Sequence, residues 1–357
     1  MQKADGMMYA PKGKKNFVCQ KGEFRFACVG LKHGHIYGMT NGLTEAGGEL
    51  VWVYDDDPSK MNVFCDAYPQ VKAASCEEEV LNDESLQLIA GAAITSERGP
   101  QGLRVLDHGK HYLSDKAPFT TMEQLEKAQA KVAETGKIWS VCYSERVHNE
   151  SAVFAGQLIK DGVIGKVLQV TNIAPHRLNA PSRPDWFFKR EQYGGILCDL
   201  GSHQIEQFLY YANVKDAKVL HSKIANYNHP EYPELEDFGD ATLLGTNGAT
   251  NYFRVDWFTP NGMGAWGDGR TFIMGTKGSI ELRKYIDVAR DSVGDHVYLV
   301  DEEKEQHFNV NGKVGYPFFG ELILDCLNGT ENAMPQAHTF LAAQLSLEAQ
   351  AQAIRIA

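Results

Sequence analysis

The chain has 357 residues, about two domains' worth, since single hydrophobic cores stop growing near ~250–300 residues. Hydrophobic residues make up 43% and charged residues 23%, which excludes a disordered chain. Asp plus Glu number 46 against 35 Lys plus Arg, a net charge of −11 that repels phosphate backbones and anionic lipids and argues against nucleic-acid or membrane-surface binding.

Residues 1–22 form a polar N-terminal extension without the apolar core of a secretory signal, and no apolar run approaches the ~20 residues of a membrane span. Seven cysteines, an odd number with no CxxC pair, read as reduced thiols of a cytoplasmic protein with no zinc site.

Between residues 23 and 142, strand and helix patterns alternate. Phe24–Val29 is a short apolar strand bounded by Gly30. Ile36, Met39 and Leu43 have helical spacing, with a stop at Gly47-Gly48. Strands follow at Leu50–Tyr54, Leu88–Ile94, His111–Ser114 and Ile138–Tyr143, with a helix near Gly102–His108. Thr121 with Gln124 predicts a capping box for a helix reaching about Glu134. The alternation predicts a Rossmann-type, doubly wound parallel sheet.

Residues 143–357 read differently. After a helix over Ser151–Lys160 come strand-like runs from Val167 to Val310, punctuated by Asn247-Gly248, Lys277-Gly278 and Asn311-Gly312. They predict a mostly antiparallel open sheet with the helices at 151–160 and 196–211 on one face, and a C-terminal helix from about His338. The fold class is α/β followed by α+β.

Four segments carry chemistry. Gly30-Leu31-Lys32-His33-Gly34-His35 joins the first strand to a helix N-terminus, where backbone N–H groups and the helix dipole suit a pyrophosphate. It matches GxGxxG only in part, with Lys32 and His35 in place of two glycines. Asp55 ends the second strand, where a carboxylate holds an adenosine ribose. With Asp56 and Asp57 beside it, a 2′-phosphate would be repelled, so NAD is preferred over NADP. Lys116 lies at the end of a later strand, where an ammonium can polarise a substrate hydroxyl; an exposed strand-end lysine is the plainer alternative. In Tyr193-Gly194-Gly195-Ile196-Leu197-Cys198-Asp199-Leu200-Gly201-Ser202-His203, a glycine turn leads into a helix with Asp199 and His203 one turn apart. A carboxylate beside an imidazole suits a general base, although a dipole-stabilising aspartate and a surface histidine fit the same spacing.

These features, in this order, resemble the Gfo/Idh/MocA (glucose–fructose oxidoreductase / inositol dehydrogenase / MocA) family over nearly the whole chain from Phe24. Gly275-Thr276-Lys277-Gly278-Ser279-Ile280-Glu281 is similar to a further family turn. The family's Glu-Lys-Pro reads Asp115-Lys116-Ala117-Pro118 here. The resemblance implies a nicotinamide-dependent oxidoreductase acting on a sugar, inositol or related polyol, with Lys116, Asp199 and His203 catalytic. Gly30, Lys32, His33, Gly34, His35, Asp55 and Lys116 are the dinucleotide candidates, and His176, Arg177, Arg183 and Trp186 the substrate candidates. Two alternatives stand beside it: an NAD-dependent glycoside hydrolase of the same family, and a non-catalytic dinucleotide sensor. The Gly-rich loop over 260–270 carries Trp266 and has no assigned role. The open sheet face predicts a homodimer or homotetramer.

Overall fold

The computed structural model describes residues 5–357; the first four residues of the expected N-terminal extension lie outside the described residues. The chain forms two compact units. One comprises Met7–Cys142 and Tyr316–Phe340, the other Tyr143–Gly315 and Leu341–Ala357 with 5–6. The sequence reading places all of 143–357 in a second domain, whereas 316–340 groups with the first unit. The reason is apolar contact: Phe319 packs where Gly42 has no side chain, and Phe340 stacks on Phe119 at 6.3 Å.

The first unit is built on a six-stranded parallel sheet of β1 (Arg25–Leu31), β2 (Glu49–Tyr54), β3 (Lys72–Ala73), β4 (Leu88–Ala92), β5 (His111–Asp115) and β6 (Trp139–Cys142). Its spatial order is β3-β2-β1-β4-β5-β6, so the direction of winding reverses between β1 and β4. The central strands are apolar and buried along their length, as strands covered on both faces must be. The helices between them are α1 (His35–Glu45), α2 (Pro58–Ala67), α3 (Glu77–Leu81), α4 (Thr95–Asp107) and α5 (Met122–Thr135). The capping box of α5 is met in one arm only. Thr121 Oγ1 accepts from Gln124 N–H at 3.2 Å, but Gln124 Oε1 reaches back to the N–H of Thr120, one residue early.

The second unit opens with α6 (Ser144–Val147) and α7 (Glu150–Lys160). Its nine-stranded mixed sheet contains β7 (Val167–Pro175), β8 (Ala217–Ala225), β9 (Phe238–Gly245), β10 (Thr250–Asp256), β11 (Arg270–Gly275), β12 (Ser279–Arg283), β13 (His296–Val300), β14 (Glu305–Asn309) and β15 (Ile354–Arg355). Pairing is antiparallel except for β7 with β10 and β8 with β15. Before the sheet's second strand come α8 (Arg190–Tyr193), α9 (Ile196–Asp199) and α10 (Gly201–Tyr211). Helices α7 and α10 pack on the sheet, as the sequence predicts. The last helices are α11 (Pro317–Asn328) and α12 (Gln336–Ala351). Among the described residues, no helix is long and apolar enough to cross a membrane.

Candidate active site

In the first unit the glycine turn is tighter than its sequence suggests. Strand β1 runs through Gly30 to Leu31, and its register with β4 shifts between Val29 and Leu31. Gly30 has a φ of 78°, so the first glycine of the fingerprint sits in a bulge within the strand. The N–H groups of Lys32 and His33 both donate to the Ala92 carbonyl, at 3.0 and 3.1 Å. Gly34 caps α1, and a Cβ there would lie 2.5 Å from the Met7 carbonyl oxygen. The helix dipole therefore remains at this turn, while two of its donors serve β4.

Asp55 follows β2 and is buried. The Lys32 side chain reaches across to the end of β2. Its ammonium lies 2.7 Å from Asp55 Oδ1 and also pairs with Asp56. The β1/β4 reversal, the α1 N-terminus and Asp55 together fit a dinucleotide: a carboxylate for the ribose hydroxyls and a helix dipole for the phosphates.

Asp115, the last residue of β5, is a buried hub. His33 Nδ1 and Arg98 Nη2 each lie 3.0 Å from its Oδ2, and His35 Nδ1 lies 3.0 Å from its Oδ1. Burial alone would raise this carboxyl. Arg98 and the two imidazoles outweigh burial and hold it well below the usual carboxylate range. His33 is pulled down to about 3 by burial and by His35, against the opposing pull of Asp115, so it is a neutral Nδ1–H donor. His33, His35 and Asp115 are spaced as metal ligands. Arg98 at 3.0 Å already provides the countercharge, so the chemistry of the cluster is that of a salt-bridged hydrogen-bond hub.

The hub fixes Lys116. The Lys116 N–H donates to Asp115 Oδ1 at 2.8 Å, and Arg98 Nη1 donates to the Lys116 carbonyl and, at 3.2 Å, to that of Ala117. The Lys116–Ala117 peptide is cis. Lys116 is buried, unlike the exposed strand-end lysine of the plainer alternative. Sequence reasoning missed Arg98, which sits within an otherwise ordinary amphipathic helix.

In the second unit, Gly194 and Gly195 turn the chain at φ of 88° and 93° into α9. The N-terminal donors of that helix are met by side chains: Ile196 N–H donates to Glu236 Oε2 at 2.8 Å and Leu197 N–H to Gln350 Oε1 at 2.9 Å. The predicted single helix over 196–211 is split at Leu200 into α9 and α10. Leu200 keeps a helical backbone and donates to the Ile196 carbonyl at 2.9 Å, so the axis is nearly continuous. Asp199 is buried and feels the guanidinium of Arg183. His203 is 1% exposed, with the ring of Tyr143 edge-on at 6.2 Å.

A second acid approaches His203, one that sequence reasoning missed. Glu145, in α6 just after β6, is fully buried, and its Oε2 accepts from Gln204 Nε2 at 2.9 Å. Lys284, just past β12 and also buried, lies 3.3 Å from the same oxygen. Burial would raise the Glu145 carboxyl; Lys284, then His203 and His176, bring it down to about 2. Burial pushes Lys284 down. No periodicity marks Glu145 or Lys284, because each follows a strand end where polar residues are ordinary.

The substrate candidates separate by role. His176 lies 3.5 Å from Glu145 Oε1 and 4.7 Å, ring to ring, from Trp266. Arg177 Nη2 donates to the carbonyls of Pro260, Met263 and Ala265, and so staples the 260–270 loop that brings Trp266 to His176. Arg183 donates to the carbonyls of Leu178 and Arg177 and lies over Phe187 and Trp257. Trp186 is half-buried with its ring 6.0 Å from Phe187.

Comparison with known proteins agrees with this architecture. Residues 153–281 match the model of the GFO/IDH/MocA C-terminal domain. A crystal structure of an oxidoreductase-type protein from Erwinia carotovora atroseptica SCRI1043 is 49% identical, covers 94% of this chain and 100% of its own, and superposes with a TM-score of 0.91. A scyllo-inositol 2-dehydrogenase (NAD(+)) of Bacillus subtilis (strain 168) is 26% identical over 265 residues, 72% of this chain and 73% of that protein. Levoglucosan dehydrogenase in complex with NADH and levoglucosan shares the fold, with a TM-score of 0.73 at 15% identity over 92% of this chain and 97% of its own. A two-unit architecture of parallel and mixed sheets, a 49% identical relative spanned end to end, and the match of the sheet-forming segment lead to one assignment: the chain belongs to the GFO/IDH/MocA family of oxidoreductases.

Proposed function

We propose that this protein catalyses reversible hydride transfer between NAD and a secondary hydroxyl of a sugar, inositol or related polyol. One observation carries the reading. A dry, 1% exposed imidazole, His203, stands in a cluster of ionisable groups one helical turn beyond Asp199, as a general base requires. Support for the substrate class comes from the inositol and sugar dehydrogenases among the relatives. When bound, the dinucleotide supplies the hydride acceptor. His203 takes the hydroxyl proton, Asp199 orients the imidazole or accepts from a neighbouring hydroxyl, and Lys116 is the hydrogen-bond donor that the dinucleotide unit offers. His176 with Trp266 offers a polar edge and an apolar face to the sugar ring. A panel of polyols and sugars, followed by NADH absorbance, should show substrate-dependent reduction. Release of an aryl leaving group from a glycoside without net NADH would instead favour the hydrolase, and no turnover on either panel the sensor.

Three carboxylates, Asp55, Asp56 and Asp57, stand against one ammonium, Lys32, at the end of β2, so a 2′-phosphate meets net negative charge. Asp55→Ala is expected to weaken NAD binding by about tenfold, the worth of one charge-assisted hydrogen bond, and to narrow the preference against NADP as Lys32 is released. Calorimetric titration with both cofactors checks this; unchanged NAD affinity would remove Asp55 from the site.

We also propose that the protein is a homodimer or homotetramer. The sheet face of the second unit carries exposed Phe272, Met274 and Val300 around a depression of about 340 Å³, an apolar surface suited to a second copy.

A further inference from the structure

We propose that Glu145 is a positioning residue for the base: its carboxylate keeps His176 doubly protonated and raises the proton affinity of His203. The inference rests on the reading of His203 as the base, and goes beyond it by assigning a second acid that Asp199 does not replace.

Glu145 is tied to both flanks of His203. Its Oε2 accepts from Gln204, the next residue on α10. Lys284 links that oxygen to the following turn, donating to Gln207 Oε1 at 2.6 Å, and Gln207 Nε2 in turn donates to the His203 carbonyl at 3.0 Å. Tyr143, two residues before Glu145, lies edge-on to the His203 ring. The segment after β6 thus braces the turn of α10 that carries His203.

His176 supplies the second argument. Its Nδ1 lies 3.1 Å from the Ala174 carbonyl, which can only accept, so Nδ1 carries a hydrogen. Its Nε2 lies 3.5 Å from Glu145 Oε1. Two bare acceptors at that separation in a dry interior repel, whereas an added proton on Nε2 turns the contact into an ion pair. The low carboxyl of Glu145 places that proton on the histidine.

Among the surrounding charges, Lys284 offsets part of this effect. From α10, Glu206 is neutralised by Arg146 at 2.6 Å. Lys284 faces Glu145 from the end of β12, Asp199 precedes His203 by one turn, and Tyr143 is kept protonated by burial. Glu145 therefore acts on two imidazoles at once, with its charge partly offset by Lys284.

The test is an NMR titration of the imidazole resonances in the full-length protein, assigned with His176→Asn and His203→Asn. In Glu145→Gln both histidines should titrate lower by about one pH unit, and Glu145→Asp should restore most of the shift. Glu145→Gln leaves Lys284 buried without its acid and is at risk of misfolding, so Glu145→Gln/Lys284→Met is measured beside Lys284→Met, where the difference between the two isolates the Glu145 charge. Titrations of Glu145→Gln within about 0.3 pH unit of the unaltered protein, or of the double variant within about 0.3 pH unit of Lys284→Met, would overturn the proposal. The readout needs no substrate. Shifted titrations without turnover on any polyol would end the oxidoreductase reading and leave only the coupling of Glu145 to the two imidazoles, whereas turnover without a shift would end the coupling and leave the oxidoreductase reading.

Discussion

Replacing His203 with alanine is expected to lower polyol oxidation by about 10²–10⁴-fold, the usual contribution of a positioned general base. NAD affinity should change by less than about threefold, because the dinucleotide candidates Gly30, Gly34 and Asp55 belong to the other unit of the chain. The two quantities are separable: stopped-flow or steady-state turnover with saturating polyol, and calorimetry with NAD alone. His203 is buried on α10 with a T-shaped contact to Tyr143, so alanine also leaves a small cavity. His203→Asn keeps most of the volume and should be as inactive as the alanine variant. Full turnover in the asparagine variant would discard His203 as the base and leave Lys116 as the remaining candidate.

The second large effect concerns Asp115. Asp115→Ala is expected to destabilise the protein by about 3–5 kcal/mol, because it leaves the buried guanidinium of Arg98 without its acid. Two imidazoles and the Lys116 N–H lose their acceptor in the same step. Urea denaturation reads the loss directly; less than about 1 kcal/mol would mean that the hub is not a structural ion pair. The same cluster sets an acid limit. At pH 8 the His33 imidazole is neutral whether the chain is folded or not, and contributes nothing. Below its ordinary value of 6.5, the unfolded chain takes up a proton that the folded chain refuses until about pH 3. Stability therefore falls as pH drops through this window, by about 2 kcal/mol at pH 5 from His33 alone. Asp115 adds a further loss below the ordinary aspartate value of 3.8, where the unfolded carboxyl is protonated and the folded one is not. A thermal midpoint that falls between pH 7 and 5, and falls less in His33→Asn, is the expected pattern. A flat profile would show that His33 is protonated in the folded protein.

The candidate segments legible in the sequence are those that lie together in the chain. The turn after β1, Asp55 at the end of β2 and the Gly194–His203 segment each sit within one strand–turn–helix passage, so local spacing was enough to mark them. Helix α10 was visible from its apolar stripe, although the break at Leu200 was not, since one residue's departure leaves the periodicity intact. The capping residue Thr121 was correctly placed, but the return arm from Gln124 lands on Thr120, a difference of one residue that side-chain reach decides.

Charged pairs between distant positions could not be read in this way. Lys32 follows a glycine turn, and its proximity in sequence suggested a role toward phosphate; the parallel pairing of β1 with β2 instead carries it to Asp55, 23 residues on. Arg177 looked like a substrate anchor and is committed to three carbonyls of the 260–270 loop. Glu145 and Lys284 are 139 residues apart and meet only because α6 and the end of β12 converge.

From the amino acids alone, the order of strands and helices and the two-part organisation followed, because hydrophobic period, turn residues and short motifs are local properties of the chain. Tertiary structure alone decided which charges neutralise one another, that 316–340 packs with the first unit, and which acid stands by each histidine. Those outcomes depend on long-range strand pairing and on desolvation, and a buried charge takes whichever partner the fold brings within reach, however far away it lies in the sequence.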